Sequence, residues 1–394
     1  MQFEPLDKAA RADWRSMLAK ADRTQLLVAA VLFLFSALTL SLPSVTAVSV
    51  LYLGTAVIFY YMLTHSLAAI LTVAFPGVLL FGLSGTEAPF ALPAAYAAIL
   101  LGSVLGAFLL VHCRTPRQYL PLLALPVLAF AITALITRNP LQGLLALIPA
   151  LLAIALARGV LDCRPLTQSV LTVTVVTAVI AVGAWLIMLA ATGGFVGNPL
   201  LALVETVRTG IVSTYEEVIS LYQEQGIVLG ISDTDLHNIA AMLGNILPGA
   251  FLAVCLVFSF GMWRMLLRVL TGFGTLPRIP VRLATLTVSS FAAALFVLSY
   301  IISLIANSSS TTLLGTACEN LTIALEAPLV LIGFTSLVGP RREARSCLSL
   351  ILAVALVVLF VSYPSAGIAL AAFVGAFHIL LARFLPTNQD KGES

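Results

Sequence analysis

Apolar residues fill this chain in long blocks, each closed by a short polar, proline or glycine punctuation. Crossing the hydrocarbon core takes about 20 helical residues, with a range of roughly 17 to 25. Set against the turn signals, the blocks predict about twelve spans. Seven lie at about 25–42, 46–64, 66–83, 90–112, 119–137, 141–157 and 167–193; five more lie at about 237–267, 283–306, 312–338, 346–362 and 365–385. The links at Pro43 to Thr46 and at His65 are so short that a neighbouring pair can be a re-entrant hairpin or a broken helix, so any count from ten to twelve fits.

One segment departs from this pattern. In 194–236, Leu200, Val204, Val207, Ile211, Tyr215, Val218 and Tyr222 recur at steps of three and four. That spacing makes one apolar helical face. Glu205, Arg208, Glu216, Glu217 and Gln223 take the other face, Asn198-Pro199 offers a start and Gly226 a stop. The helix is amphipathic and too polar to span. It is expected to lie at the outer interface or over the bundle, with a lid over a substrate entrance as the sharper reading.

Composition turns the pattern into a class. A soluble domain carries roughly 25% charged residues. This chain carries 9%, with 60% hydrophobic, so its solvent is the lipid bilayer. Charge then gives an orientation. The amino-terminal lead to Arg23, Arg114, Arg117, Arg158, Arg164, Arg264, Arg268, Arg278, Arg282, Arg341, Arg342, Arg345, Arg383 and Lys391 all fall on one side of the predicted spans, which is 18 of the 20 basic residues. Only Arg138 and Arg208 fall on the other. The positive-inside rule therefore puts both termini in the cytoplasm.

The expected fold is all-α, a polytopic transmembrane bundle in a bacterial cytoplasmic membrane. Its parts are a basic cytoplasmic lead (1–24), a bundle of about seven spans (25–193), an external segment (194–236), a bundle of about five spans (237–385) and a cytoplasmic tail (386–394). Within the lead, Trp14, Met17 and Leu18 are expected to face lipid.

Candidate chemistry is sparse. There is no GxxxxGK[ST], GxSxG or HExxH, so no enzyme class is supported, and no catalytic residue or cofactor is expected. Cys113, Cys163, Cys255, Cys318 and Cys347 form no CxxC or cysteine–histidine cluster, which predicts inert thiols and no metal site. No nucleic-acid partner is expected. Gly102 and Gly106 have the spacing for close helix approach. In HNIAAMLGNILPG, Asn238 and Asn245 share a face, and Pro248 predicts a kink with freed backbone groups near Gly244. Of the histidines only His378 lies well inside a predicted span.

The second half resembles the YybS-like family of bacterial integral membrane proteins. The likeness covers about 195–385 and rests on the external helix ending at Tyr222 to Gly226, the span beginning near Leu247-Pro248, the link with Arg264, Arg268 and the Pro277 to Pro280 turn, and three further spans. That family is distantly similar to the substrate-binding membrane subunits of energy-coupling-factor transporters. The resemblance implies a bundle that binds a small solute and works with partner transporter subunits.

The sharpest chemical question is Glu319 and Glu326, seven residues apart inside one apolar run. That separation is about two turns, so both lie on one helical face. A bare carboxylate in hydrocarbon costs several kcal/mol or more. Both are therefore expected to face the bundle interior, and Glu326 to hold its proton until its surroundings become wet. Asn245, Asn320, Thr316 and Thr322 are the expected polar neighbours. The candidate solute or proton site thus comprises Glu319, Glu326, Asn245, Asn320 and His378. A non-transporting scaffold or regulatory subunit is the competing reading.

Overall fold

The structure, a computed structural model, describes residues 7–41, 46–64, 80, 90–113, 116–191, 199–224, 233–276, 278–306, 313–338, 358–359 and 362–384. Helices and short connections account for them, with no strand among the described residues. Five described helices are long and apolar enough to cross a membrane, by length and composition. Five shorter apolar helices accompany them. The expected spans at 66–83 and 346–362 lie almost wholly outside the described residues, as do Cys347 and the Arg341 to Arg345 loop.

Two compact units emerge. Unit 1 comprises 1–191 and 258–285, and unit 2 comprises 192–257 and 286–394. Unit 1 holds α1 (Lys8–Met17), α2 (Arg23–Ser41), α3 (Thr46–Thr64), α4 (Ala91–His112), α5 (Pro116–Thr137), α6 (Pro140–Leu144), α7 (Ile148–Leu161) and α8 (Leu166–Ala191). After α9 (Pro199–Glu224) comes the long α10 (Asp233–Gly272), whose last part belongs to unit 1 together with α11 (Val281–Ala284). Unit 2 is completed by α12 (Ser290–Ala306), α13 (Leu313–Val338) and α14 (Pro364–Phe384).

In unit 1 the core is α4. Its span is 78% buried, against 33% or less for the other four long apolar helices. A helix apolar all round can bury every face, and small residues let α4 do so closely. Gly102 meets Ser36 of α2 and Pro149 of α7, while Gly106 meets Phe33 and Ala153 of the same pair. The sequence expectation of close approach at Gly102 and Gly106 holds. The Tyr52 and Ser36 hydroxyls sit 2.7 Å apart, and Ser36 donates in turn to the Leu32 carbonyl. That chain satisfies polar groups which lipid cannot.

Three local details differ from expectation, each for a physical reason. The span expected at 141–157 is interrupted by a 3-10 turn, Leu145–Leu147, because Pro149 has no N–H to donate to the Leu145 carbonyl. Ile148 takes that carbonyl instead. The span expected from 283 becomes regular helix only at Ser290. Thr285 is extended, and the Ser289 hydroxyl accepts the Ala292 N–H as an N-cap. Third, α1 docks on protein: Trp14 donates its indole N–H to the Val160 carbonyl at 2.7 Å and Leu18 is buried. Of the three residues expected to face lipid, only Met17 is exposed. Arg15 anchors the same contact through Asp162, which also pairs with Arg164.

Buried Cys163 follows α7 with φ at +46°. Burial pushes its thiol above the ordinary range, and the Arg282 charge offsets part of that. A thiol held protonated is a poor nucleophile, as expected for an inert cysteine.

In unit 2, α12, α13 and α14 pack on one another around Ala293, Phe296, Leu329, Ala372 and Ala376. The α13–α14 crossing is reciprocal. A Cβ on Gly333 would land on the Ala371 carbonyl oxygen, and one on Gly375 would land on that of Leu329. Each carbonyl belongs to the residue one turn before the opposing glycine. Such backbone approach allows Cα–H to carbonyl contacts, which help hold helices where lipid gives no hydrophobic drive.

Candidate functional site

Polar chemistry in unit 2 gathers where α13 meets α10 around Pro248. Proline lacks an N–H and its ring crowds the carbonyl one turn earlier, so the helical ladder of α10 opens at this point. Asn320 of α13 fills the opening. Its side-chain oxygen accepts the Gly249 N–H at 2.6 Å, and its side-chain nitrogen donates to the Asn245 carbonyl at 2.8 Å. In a regular helix those two backbone groups would bond each other. The carboxamide therefore stands in as an extra peptide unit spliced into the ladder of α10. Its second N–H reaches back to the Thr316 carbonyl of its own helix at 2.9 Å.

Gly249 makes the splice possible. A Cβ there would sit 2.6 Å from the Asn320 backbone oxygen, so no larger residue fits without separating the helices. Sequence reasoning pointed to Pro248 and missed Gly249, although glycine directly after a kink-forming proline was the available signal. Asn245 enters by its carbonyl, while its side chain lies on an exposed position.

Glu319 precedes Asn320 directly, and Glu326 follows two turns along the same face of α13. Both are partly buried, and neither carboxyl has a hydrogen bond or ion pair among the described residues. Of their expected neighbours, Thr322 bonds elsewhere: it lies 3.0 Å from the Ser299 hydroxyl of α12 and donates to the Cys318 carbonyl. Thr316 contributes its carbonyl to Asn320. A second proline, Pro328, sits inside α13 two residues after Glu326. It removes the N–H that would bond the Ala324 carbonyl, so Glu326 too lies beside an opened ladder.

His378 is partly buried on α14, one turn past Gly375. The structure thus joins Asn245 to Asn320, keeps both glutamates on the helix that carries Asn320, and puts His378 on a neighbouring helix. No group of three or more histidine, cysteine or acidic side chains able to hold a metal occurs among the described residues. The amphipathic α9 forms over the expected stretch, with Tyr215, Leu221 and Tyr222 exposed.

A family model described as a predicted membrane protein (DUF2232) matches residues 117–339, more than half of the chain. The match includes Pro248, Asn245, Asn320 and both glutamates and stops short of His378. No curated protein and no solved structure matches the chain.

Proposed function

The chain belongs to the DUF2232 family of predicted membrane proteins, and from that premise we propose that it is a non-enzymatic, transport-related protein with a small-solute or proton site on α13. The observation that carries this reading is the pairing of two carboxyls without hydrogen-bond partners among the described residues, Glu319 and Glu326, with the opened backbone of α10 at Asn320. Broken helices and intramembrane acids are the means by which bundles handle polar cargo at mid-depth. Without an ATPase motif, energy would come from a proton gradient. The other source is partner subunits, as the resemblance to energy-coupling-factor systems implies.

Glu326→Gln tests it, because glutamine keeps shape and hydrogen bonding while ending titration. The expected variant folds and inserts as wild type but loses pH-dependent binding or uptake. A thermal-shift screen of small solutes on purified wild-type protein supplies the ligand, since a binder raises the unfolding midpoint by mass action. Wild-type behaviour of Glu326→Gln in every assay would leave the second reading, a scaffold or regulatory subunit. That reading rests on the same splice, whose hydrogen bonds all run between or within helices.

The proposed topology has about twelve spans in a bacterial cytoplasmic membrane, with both termini inside and 194–236 outside. It rests on the asymmetry of arginine and lysine along the chain. A membrane-impermeant thiol reagent applied to intact cells is expected to label Arg138→Cys and to spare Arg342→Cys. Labelling of Arg342→Cys from outside overturns the orientation.

A further inference from the structure

The register of the α13–α14 crossing relates two titratable residues on different helices. Gly333 lies against the Ala371 carbonyl and Gly375 against that of Leu329. The later residue of one helix thus meets the earlier residue of the other, so the two run antiparallel. Toward the start of α13 the contact stripe reads Gly333, Leu329, Glu326; on α14 it reads Ala371, Gly375, His378. Both advance by four residues and then by three, the spacing of neighbours on one helical face. Glu326 and His378 are the next tier of the two facing stripes, within a turn of each other along the bundle. Both are partly buried.

Apolar side chains surround this tier. Leu325 and Ile379, next in sequence to the pair, pack on the cluster of Ala293, Phe296, Leu329, Ala372 and Ala376. A lone charge in such surroundings is costly. A carboxyl and an imidazole that share one proton avoid it. As carboxylic acid with neutral imidazole, or as carboxylate with imidazolium, the pair has no net charge, and its titration belongs to both groups. A second proton, or none, leaves one charge uncompensated.

The other titratable groups on the helices around Glu326 sit elsewhere. On α12, Tyr300 packs its ring against Phe296 and Phe373. On α13, Cys318 and Glu319 lie about two turns nearer its start. On α14, Arg383 follows His378 by five residues, which carries it well round the helix. In unit 2, α10 carries Asp233, Asp235 and His237 at its start and Cys255 beyond Pro248; it meets α13 at Asn320, six residues before Glu326.

We propose that Glu326 and His378 bind a single proton between them, across the crossing of α13 and α14. The pair rests on the reading of α13 as a solute or proton site, and it makes the proton the ligand. H+ arrives from water, forms an O–H or N–H bond at one member, and returns to water when the tier becomes wet. No other reactant is needed.

Infrared difference spectra of the full chain in detergent, between about pH 5 and 8, provide the test. Loss of the protonated-carboxyl band in Glu326→Gln assigns the acid, and loss of ring bands in His378→Gln assigns the imidazole. In wild type both should change in one concerted titration. His378→Gln should displace the carboxyl titration by about one pH unit or more, and Glu326→Gln the imidazole titration likewise. The exchange variant Glu326→His/His378→Glu keeps the two groups and should restore a concerted titration. Tyr300→Phe, which keeps the aromatic ring, should disturb neither. If a glutamine variant fails to fold, Glu326→Asp, with its shorter reach, must still displace the imidazole titration. Carboxyl and imidazole titrations that are each indifferent to the other's removal overturn the pair. If Glu326→Gln then still loses pH-dependent binding or uptake, the site on α13 stands without His378; pH dependence intact in Glu326→Gln defeats that site as well.

Discussion

Replacing Gly333 with valine is expected to break the packing of α12, α13 and α14, and it should be the most damaging single change in unit 2. A Cβ at this position meets a backbone carbonyl, that of Ala371, rather than the yielding end of a side chain. The helices must move apart, which also lifts Gly375 from the Leu329 carbonyl. Overpacking of this kind costs about 3 kcal/mol, or more where backbone rather than side chain must yield. The same chain supplies its own control. Gly183, on α8, has nothing within 4 Å of a built Cβ. There Gly183→Ala should gain up to about 1 kcal/mol from helix propensity alone. Thermal unfolding in one detergent compares the two, and a Gly333→Val protein as stable as wild type would refute the crossing.

The contrast shows what the sequence could and could not reveal. Blocks of apolar residues disclose helices because lipid forces every backbone group to bond within its own segment. The helices α2, α3, α4, α8 and α13 accordingly start and stop within a few residues of expectation. The interruptions at Leu145–Leu147 and at 285–289 were hidden, because each is set by a single proline or serine inside an otherwise suitable run. Gly102 and Gly106 were readable as a contact since they lie one turn apart in the same helix. Gly333 and Gly375 were not: each contributes one half of a crossing whose partner lies in another segment. Trp14 was misplaced for a related reason. An amphipathic lead looks the same whether its apolar face meets lipid or the carbonyl of Val160.

The candidate site divides in the same way. Glu319, Glu326 and Asn320 were conspicuous as polar residues in an apolar run, and the kink at Pro248 followed from proline chemistry. What joined them was not visible, because the acceptor and donor that Asn320 satisfies are backbone groups, which every residue has. A sequence reader seeks side chains for side chains. In this bundle the carboxamide pairs with a main chain that proline has opened.

Removing that carboxamide gives the second large effect. Asn320→Leu is expected to cost about 1–2 kcal/mol, the range for interhelical polar contacts in membranes. It leaves the Gly249 N–H and the Asn245 carbonyl unpaired unless α10 closes on itself. Pro248→Ala should cost a comparable amount by the opposite route. Alanine restores an N–H for the Gly244 carbonyl, α10 straightens, and Gly249 is drawn away from Asn320. The two changes act on one gap, so they should not add. In the double variant the ladder of α10 is continuous and no longer needs the carboxamide. Its stability should therefore exceed the additive expectation by about 1 kcal/mol, within the usual range for residues in direct contact. Hydrogen exchange at Gly249 gives a local check: protection lost in Asn320→Leu should return in the double variant. Strictly additive costs, with Gly249 equally protected in all four proteins, would mean that Asn320 merely touches α10 and does not complete its backbone.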